Sequence, residues 1–100
     1  MLDWSKIVGF DWDDGNACKS ADKHGVSQGE AEQIFSNEAL IVAFDRRHSE
    51  TETRFHALGR TSVGRLLHIT FTLREADTLI RVISARGMSK KEKVIYDQGA

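Results

Sequence analysis

The chain has 100 residues, of which 40% are hydrophobic and 29% are charged, and its formal net charge is −1. This length supports a single core, so residues 1–100 are predicted to form one domain, and the composition excludes a disordered chain. The longest apolar run, at 39–44, is far shorter than the ~20 residues of a membrane span. A single cysteine, Cys18, excludes a disulfide framework and a cysteine-rich zinc site, and it favours a reducing, cytoplasmic setting.

The charge is unevenly distributed. Residues 1–53 carry a net charge of −6, whereas residues 54–100 carry nine basic and four acidic groups, a net charge of +5. A basic second half can form a surface that attracts phosphate groups. The alternative is ordinary solvated charge that happens to be concentrated in one half of the chain.

The first quarter of the chain predicts one strand and one helix. Residues 7–12 read as a short strand whose apolar face would hold Val8, Phe10 and Trp12. Residues 13–24 are predicted to form a helix, because acidic residues open the segment and Gly25 is suited to end it.

A second helix is predicted to begin at Ser27. Ser27 and Glu30 form an S-x-x-E capping box, and apolar residues follow at the spacing of a buried helical face: Ala31, Ile34 and Phe35. Residues 39–44 are then predicted to be a strand, and 45–53 an exposed polar loop.

The second half predicts a meander of three strands, at 54–60, 65–73 and 79–86. Ser89 and Glu92 form another capping box and open a short helix that runs through Tyr96. The order β-α-α-β-β-β-β-α predicts an α+β fold. We expect an antiparallel sheet of four to five strands, with two helices packed on one face and a short C-terminal helix.

If the helices cover one sheet face, the alternation of β-strand side chains places a polar set on the other: Arg54, His56, Arg60, His68, Thr70 and Thr72. The last strand adds Arg81 or Arg86, and an odd spacing predicts that these two cannot share a face. Arginine binds phosphate oxygens bidentately and histidine transfers protons near neutral pH, so this face suits phosphodiester chemistry. An ordinary solvated sheet face is the alternative.

No metal or cofactor site is predicted. The four histidines lack metal-ligand spacing, and the glycines form no phosphate-binding loop. Lys23 and His24 end a predicted helix, where the helix dipole favours cations, and the same position would place them beside the sheet edge.

Four stretches in chain order carry a resemblance to a known family. They are F-D-W-D at 10–13 with K-H-G-V-S at 23–27, H-S-E at 48–50 with E-T-R-F at 52–55, L-G-R at 58–60 with G-R-L-L at 64–67, and I-S-A-R at 83–86 with Glu92 and Tyr96. Together these stretches resemble the BrnT toxins of bacterial type II toxin–antitoxin systems, which have a RelE-like ribonuclease fold.

The resemblance implies a toxin that inhibits translation by cutting RNA, free or associated with the ribosome, without a metal or cofactor. It also implies a cognate, BrnA-like antitoxin, with DNA bound only through that antitoxin. Attack by the 2′-hydroxyl on the adjacent phosphate would restrict the substrate to RNA.

Carried onto this chain, the resemblance implies the catalytic residues His24, Arg54, Arg65 and Arg86. It also implies that Lys23 lies near the substrate. RNA-binding residues are predicted at Lys23, Arg60, Arg81, Lys90 and Lys91. The general base stays open between His24 and Glu52, and Tyr96 either orients the substrate or packs on the sheet.

The chain departs from the family pattern at Asn16, Ser20 and Thr53, and Gly87 and Met88 follow the I-S-A-R arginine where basic residues are usual. These departures leave a second function class open, a non-catalytic module that docks a DNA-binding antitoxin and acts as a co-repressor. A structural domain without a partner is a third.

Overall fold

The computed structural model describes residues 3–12, 25–37, 39–45 and 52–99. After a short 3₁₀ helix at Trp4–Lys6, the elements are β1 Gly9–Phe10, α1 Gln28–Ser36, β2 Ile41–Asp45, β3 Arg54–Arg60, β4 Leu66–Arg74, β5 Leu79–Gly87 and α2 Lys90–Gly99. The helix predicted over 13–24 lies outside the described residues. The α+β fold predicted from the element order is confirmed.

The five strands form one mixed sheet in the order β1-β5-β4-β3-β2. Strands β2 to β5 are antiparallel neighbours as predicted, whereas β1 pairs with β5 in parallel. Because only Gly9 and Phe10 pair, the predicted alternation through Val8 does not hold. Phe10 and Trp12 pack against the core, but Val8 is 79% exposed, so its predicted place on the buried face was wrong.

The core lies between α1 and one face of the sheet. The predicted capping box is present, because Glu30 N–H donates to Ser27 Oγ at 3.1 Å and Ser27 N–H donates to Glu30 Oε1 at 3.1 Å. Helix α1 then buries Ala31 and Ile34 against the odd-numbered side chains of β3 and β4. This packing leaves the opposite sheet face for other groups.

Helix α2 covers one end of that opposite face. Tyr96 is buried with Leu58 and Met88, and its hydroxyl donates to the carbonyl of Ala39. Of the two roles considered for Tyr96, packing on the sheet is the one that the structure shows. The two described helices therefore lie on opposite sides of the sheet.

A β-bulge in β5 determines which of its side chains share a face. Thr70 pairs with Ser84, but the next residue of β4, Phe71, pairs with Val82, so Ile83 is an extra residue in the ladder. The extra residue shifts the alternation by one position. Arg81, opposite Thr72, and Arg86, opposite His68, therefore lie on the same face, and the prediction that they cannot share one was wrong.

Strand β2 begins two residues later and ends one residue later than predicted. Asp45 was predicted to begin the exposed loop, but it is the last residue of β2 and pairs with Arg54. The ladder with β3 supplies backbone hydrogen bonds to this residue despite its polar side chain. Asp45 is thereby held beside the side chains of β3.

The contact between α1 and β3 provides a test of the packing. A Cβ atom at Gly59 would lie 2.8 Å from Cβ of Ile34, whereas one at Gly29, in α1, would meet nothing within 4 Å. We expect Gly59→Ala to lower the free energy of unfolding by about 1–3 kcal/mol through overpacking. The matched substitution Gly29→Ala should raise it by about 0.5–1 kcal/mol, because alanine favours helix. Urea unfolding of both variants measures the difference, and equal effects would contradict this packing.

Candidate functional site

One sheet face gathers most of the chemically active side chains of the described residues. We define the polar face as the sheet surface carrying Asp45, Arg54, His56, His68, Thr70, Thr72, Arg81, Ser84 and Arg86. Its floor is a row across three strands, His56, Thr70 and Ser84. Helix α2 bounds this floor at one end, and Arg81 lies toward the other.

His56 is held at both ring nitrogens. Its Nε2 lies 2.7 Å from Oδ2 of Asp45, and its Nδ1 lies 3.0 Å from Oγ1 of Thr70. An ionised carboxylate only accepts hydrogen bonds, so Nε2 carries a proton and Nδ1 of the neutral ring accepts from the threonine hydroxyl. The three side chains form a carboxylate–imidazole–hydroxyl chain across β2, β3 and β4.

His68 lies next to His56, with 5.0 Å between the ring centroids. It is only 9% exposed, and within the described part of the chain its buried Nδ1 has no hydrogen-bond partner. Burial, followed by the positive charge of Arg86, lowers the pKa of His68 below its usual value of 6.5. His68 is therefore neutral at physiological pH.

An ion pair between β5 and α2 closes this end of the polar face. Arg86 donates from Nη1 to Oε1 of Glu92 at 2.8 Å and from Nη2 to Oε2 at 2.9 Å. Glu92 also completes the predicted capping box of α2, because Ser89 N–H donates to Oε1 at 2.9 Å. Hydrogen bonds from Arg86 are the largest cause that lowers the pKa of Glu92 to about 2, and the same bonds raise the pKa of Arg86.

The guanidinium of Arg86 is thus fixed by one edge. Its Nη1 also donates to the carbonyl of Gly87 at 3.1 Å. Among the residues that the structure describes, no acceptor binds its Nε. The edge formed by Nε and the second Nη2 proton is the right shape for two phosphate oxygens. Lys90 and Lys91 are exposed at the start of α2 and add positive charge near this end.

Three further arginines that were predicted to bind or cleave RNA lie on the polar face or at its margin. Arg81 lies at the far end and donates to Oδ2 of Asp11 at 3.3 Å. Arg54 begins β3 opposite Asp45, and Arg60 is exposed where β3 ends. The face thus brings together Arg54, Arg81 and Arg86, with Arg60 at its margin.

Arg65 is not brought to the polar face. Its Nη1 donates to the carbonyl of Gly25 and to Oε2 of Glu30, each at 2.8 Å, so it binds the N-terminal end of α1. Hydrogen bonds from Arg65 lower the pKa of Glu30. This geometry favours a structural role for Arg65, and its catalytic role stays a prediction.

Of the two candidates for the general base, the structure describes only Glu52. Glu52 accepts a hydrogen bond from Nη1 of Arg74 at 2.5 Å. His24, like Lys23, lies outside the described residues. Their roles stay predictions.

Sequence reasoning did not assign four residues that the structure places in this site, Asp45, His56, His68 and Glu92. Strand alternation put both histidines on the correct face, so that signal was available. Glu92 was recognised only as a helix cap, and nothing in the sequence indicated that Asp45 extends β2.

Two kinds of feature are absent from the described ranges of the chain, which are 3–12, 25–37, 39–45 and 52–99. Those ranges contain no group of three or more histidine, cysteine or acidic side chains arranged to hold a metal ion. None of their helices has the length and apolarity that crossing a bilayer requires.

Fold and site together define a small α+β domain in which one face of a mixed sheet presents arginines, histidines and hydroxyls suited to phosphodiester chemistry. The family model described as "Ribonuclease toxin, BrnT, of type II toxin-antitoxin system" matches residues 12–92. The chain belongs to this BrnT family of ribonuclease toxins.

A solved structure shows the same fold. The chain is similar to the ribonuclease toxin BrnT of Brucella abortus, solved at 1.1 Å resolution, with a TM-score of 0.58 and 19% sequence identity. The match covers 84% of this chain and 100% of the Brucella chain. A comparison with the curated proteins found no match.

The lowered pKa values predict how stability depends on pH. The unfolded chain binds a proton at Glu92 near pH 4.5, but the folded chain does so only near pH 2. Folding stability from Glu92 is therefore present above pH 4.5 and is lost as the pH falls toward 2. His68 acts in the same direction, and its loss of stability begins as the pH falls below 6.5.

We expect the free energy of unfolding, measured in urea at a series of pH values, to decrease steadily from pH 7 toward pH 2. Glu92→Gln should flatten the part of the curve below pH 4.5, and His68→Gln the part that begins near 6.5. A Glu92→Gln curve parallel to that of the wild type at every pH would show that the ion pair does not hold Glu92 ionised.

Proposed function

We propose that the polar face binds RNA and cleaves it, and that this is how the chain acts as a toxin. One observation carries the proposal: the bulge at Ile83 brings Arg81 and Arg86 to the same face, where they flank Ser84 at one end of the floor of hydroxyl and imidazole groups. Arginines separated in this way contact successive phosphates of a single strand, while the floor lies beneath the sugar and the scissile bond.

The reaction we propose is an internal transesterification. The 2′-oxygen loses its proton and bonds to the adjacent phosphorus, the bond from phosphorus to the 5′-oxygen breaks, and that oxygen takes up a proton. The products are a 2′,3′-cyclic phosphate and a 5′-hydroxyl end. DNA lacks the nucleophile, so it is not cleaved.

Arg86 is the residue that we propose stabilises the transition state. Charge develops on the phosphate oxygens during attack, and a guanidinium already fixed by Glu92 meets this charge without having to reorganise. Contacts to flanking phosphates are proposed for the remaining basic residues, Lys23, Arg54, Arg60, Arg81, Lys90 and Lys91. His24 is proposed to lie near the substrate.

The biological consequence that we propose is inhibition of translation through cleavage of RNA, either free or on the ribosome, in the cytoplasm. A type II toxin has a cognate antitoxin, and membership of the family supports such a partner. The proposed antitoxin is BrnA-like and provides the only link to DNA.

The central test compares two arginines with similar surroundings. Arg86 pairs with Glu92, and Arg74 pairs with Glu52; the two arginine side chains are 38% and 37% exposed. We expect Arg86→Ala to lower the rate of RNA cleavage by about 100-fold or more, the typical cost of removing a transition-state donor. Arg74→Ala should stay within a few fold of the wild type.

Cleavage is measured on a labelled messenger RNA, alone and in a cell-free translation reaction, with far-UV circular dichroism to confirm folding. Equal rates for the wild type and a folded Arg86→Ala variant would refute the assignment of Arg86. A wild-type protein that binds its antitoxin and supports promoter repression, yet cleaves no RNA in either reaction, would favour the co-repressor function.

Metal independence is a separate proposal. The arginines and imidazoles of the polar face supply the positive charge and proton transfer that the reaction needs. We expect cleavage in excess EDTA to match the rate of an untreated sample. A rate that falls with EDTA and recovers with Mg²⁺ or Zn²⁺ would show that a metal takes part.

A further inference from the structure

We propose that His56 is the general base of this cleavage and that Asp45 is its positioning residue. The inference rests on the proposed function and deepens it, because it assigns the proton transfer to a residue that resemblance to the family did not indicate. It is carried by the chain of contacts from Asp45 through His56 to Thr70 across three strands.

The first argument is the geometry of the ring. The 2.7 Å contact from Nε2 to Asp45 holds a proton on that nitrogen, so the basic lone pair of the neutral ring is at Nδ1. Nδ1 lies 3.0 Å from the hydroxyl of Thr70, which shows that a hydroxyl group can sit at hydrogen-bond distance from this lone pair. Thr70 is itself only 8% exposed, so in the proposed complex its hydroxyl turns away from Nδ1 and the 2′-hydroxyl takes its place.

The second argument is accessibility. The side chain of His56 is 36% exposed, whereas that of Asp45 is 11% exposed. The imidazole can therefore be reached by substrate, while the carboxylate behind it is shielded from water. This combination is typical of a proton-transfer pair, because a shielded carboxylate interacts more strongly with the imidazolium that forms.

Neighbouring charges complete the surroundings of His56. Arg54 lies two residues earlier on β3 and faces Asp45 across the ladder. On the β4 side the neighbour is neutral His68, and beyond it the Arg86–Glu92 pair. Among the described residues, the only carboxylate in hydrogen-bond contact with the ring is Asp45, so it is the group that orients the imidazole.

The proton and bond changes balance. Nδ1 of His56 takes the proton of the 2′-hydroxyl as the new oxygen–phosphorus bond forms, with Arg86 beside the phosphate. The bond to the 5′-oxygen breaks, and water supplies the proton for that leaving oxygen. His56 then returns its proton to solvent, and no oxidant, reductant or metal is consumed.

The experiment measures kcat against pH for the wild type, His56→Gln, Asp45→Asn and Arg74→Ala, with the messenger RNA substrate described above. We expect His56→Gln to lower kcat by about 100-fold or more, while binding of a non-cleavable 2′-O-methyl RNA changes by less than a few fold. Asp45→Asn should lower kcat by a smaller factor.

A second measurement does not depend on activity. Nitrogen-15 NMR of the wild-type rings should show Nε2 of His56 protonated near neutral pH, and Asp45→Asn should weaken that preference. Thr70→Val, which removes the hydroxyl, should leave the tautomer of His56 unchanged, because Asp45 still accepts from Nε2.

The outcomes separate the two proposals. A wild type that cleaves RNA, with His56→Gln equally active, overturns the role of His56, as does loss of activity in His24→Gln but not in His56→Gln. An Asp45→Asn variant with a lower kcat but an unchanged tautomer of His56 reduces Asp45 to a structural role. A wild type that cleaves no RNA, with the NMR tautomer as expected, overturns the proposed function instead.

Discussion

The bulge at Ile83 is the constraint on which the arrangement of the molecule depends. Before it, β5 places Ile80 and Val82 in the core; after it, Ala85 takes the core position. Without the extra residue, strict alternation would turn either the apolar side chains or Arg86 to the wrong face. A single inserted residue thus allows one nine-residue strand to serve both the core and the polar face along its whole length.

Each end of β5 places an arginine on the polar face. Each of these arginines forms an ion pair with a carboxylate that lies outside the sheet. Arg86 meets Glu92 of α2, and Arg81 meets Asp11 beyond β1. The face is therefore less electropositive than its arginine content implies. Partly exposed pairs of this kind contribute little to stability by themselves, but they hold the guanidinium groups in place. In the proposed complex, RNA binding would gain orientation at the expense of long-range attraction.

Sequence patterns predicted the parts of this structure that follow from local periodicity. Alternation placed His56 and His68 together, and the S-x-x-E spacing predicted both capping boxes because each depends on residues three positions apart. The sequence did not predict that Arg81 and Arg86 lie on the same sheet face. The bulge arises from the pairing of β5 with β4, and no local sequence pattern at Ile83 indicates it. Asp45 was missed for a similar reason, since its strand conformation depends on the partner strand β3.

The motifs that carry the family resemblance contain two arginines, Arg65 and Arg86, with different structural surroundings. The sequence alone does not distinguish these surroundings. Arg65 binds the capping residue Glu30 of α1, and Arg86 binds the capping residue Glu92 of α2. The two contacts are chemically alike, yet one lies on the core side of the sheet and the other borders the histidines. What distinguishes the arginines is therefore their surroundings, because Arg86 lies opposite His68 on the polar face whereas Arg65 binds the N-terminal end of α1. The same carboxylate that caps α2 thereby links the stability of the C-terminal helix to the chemistry of the polar face.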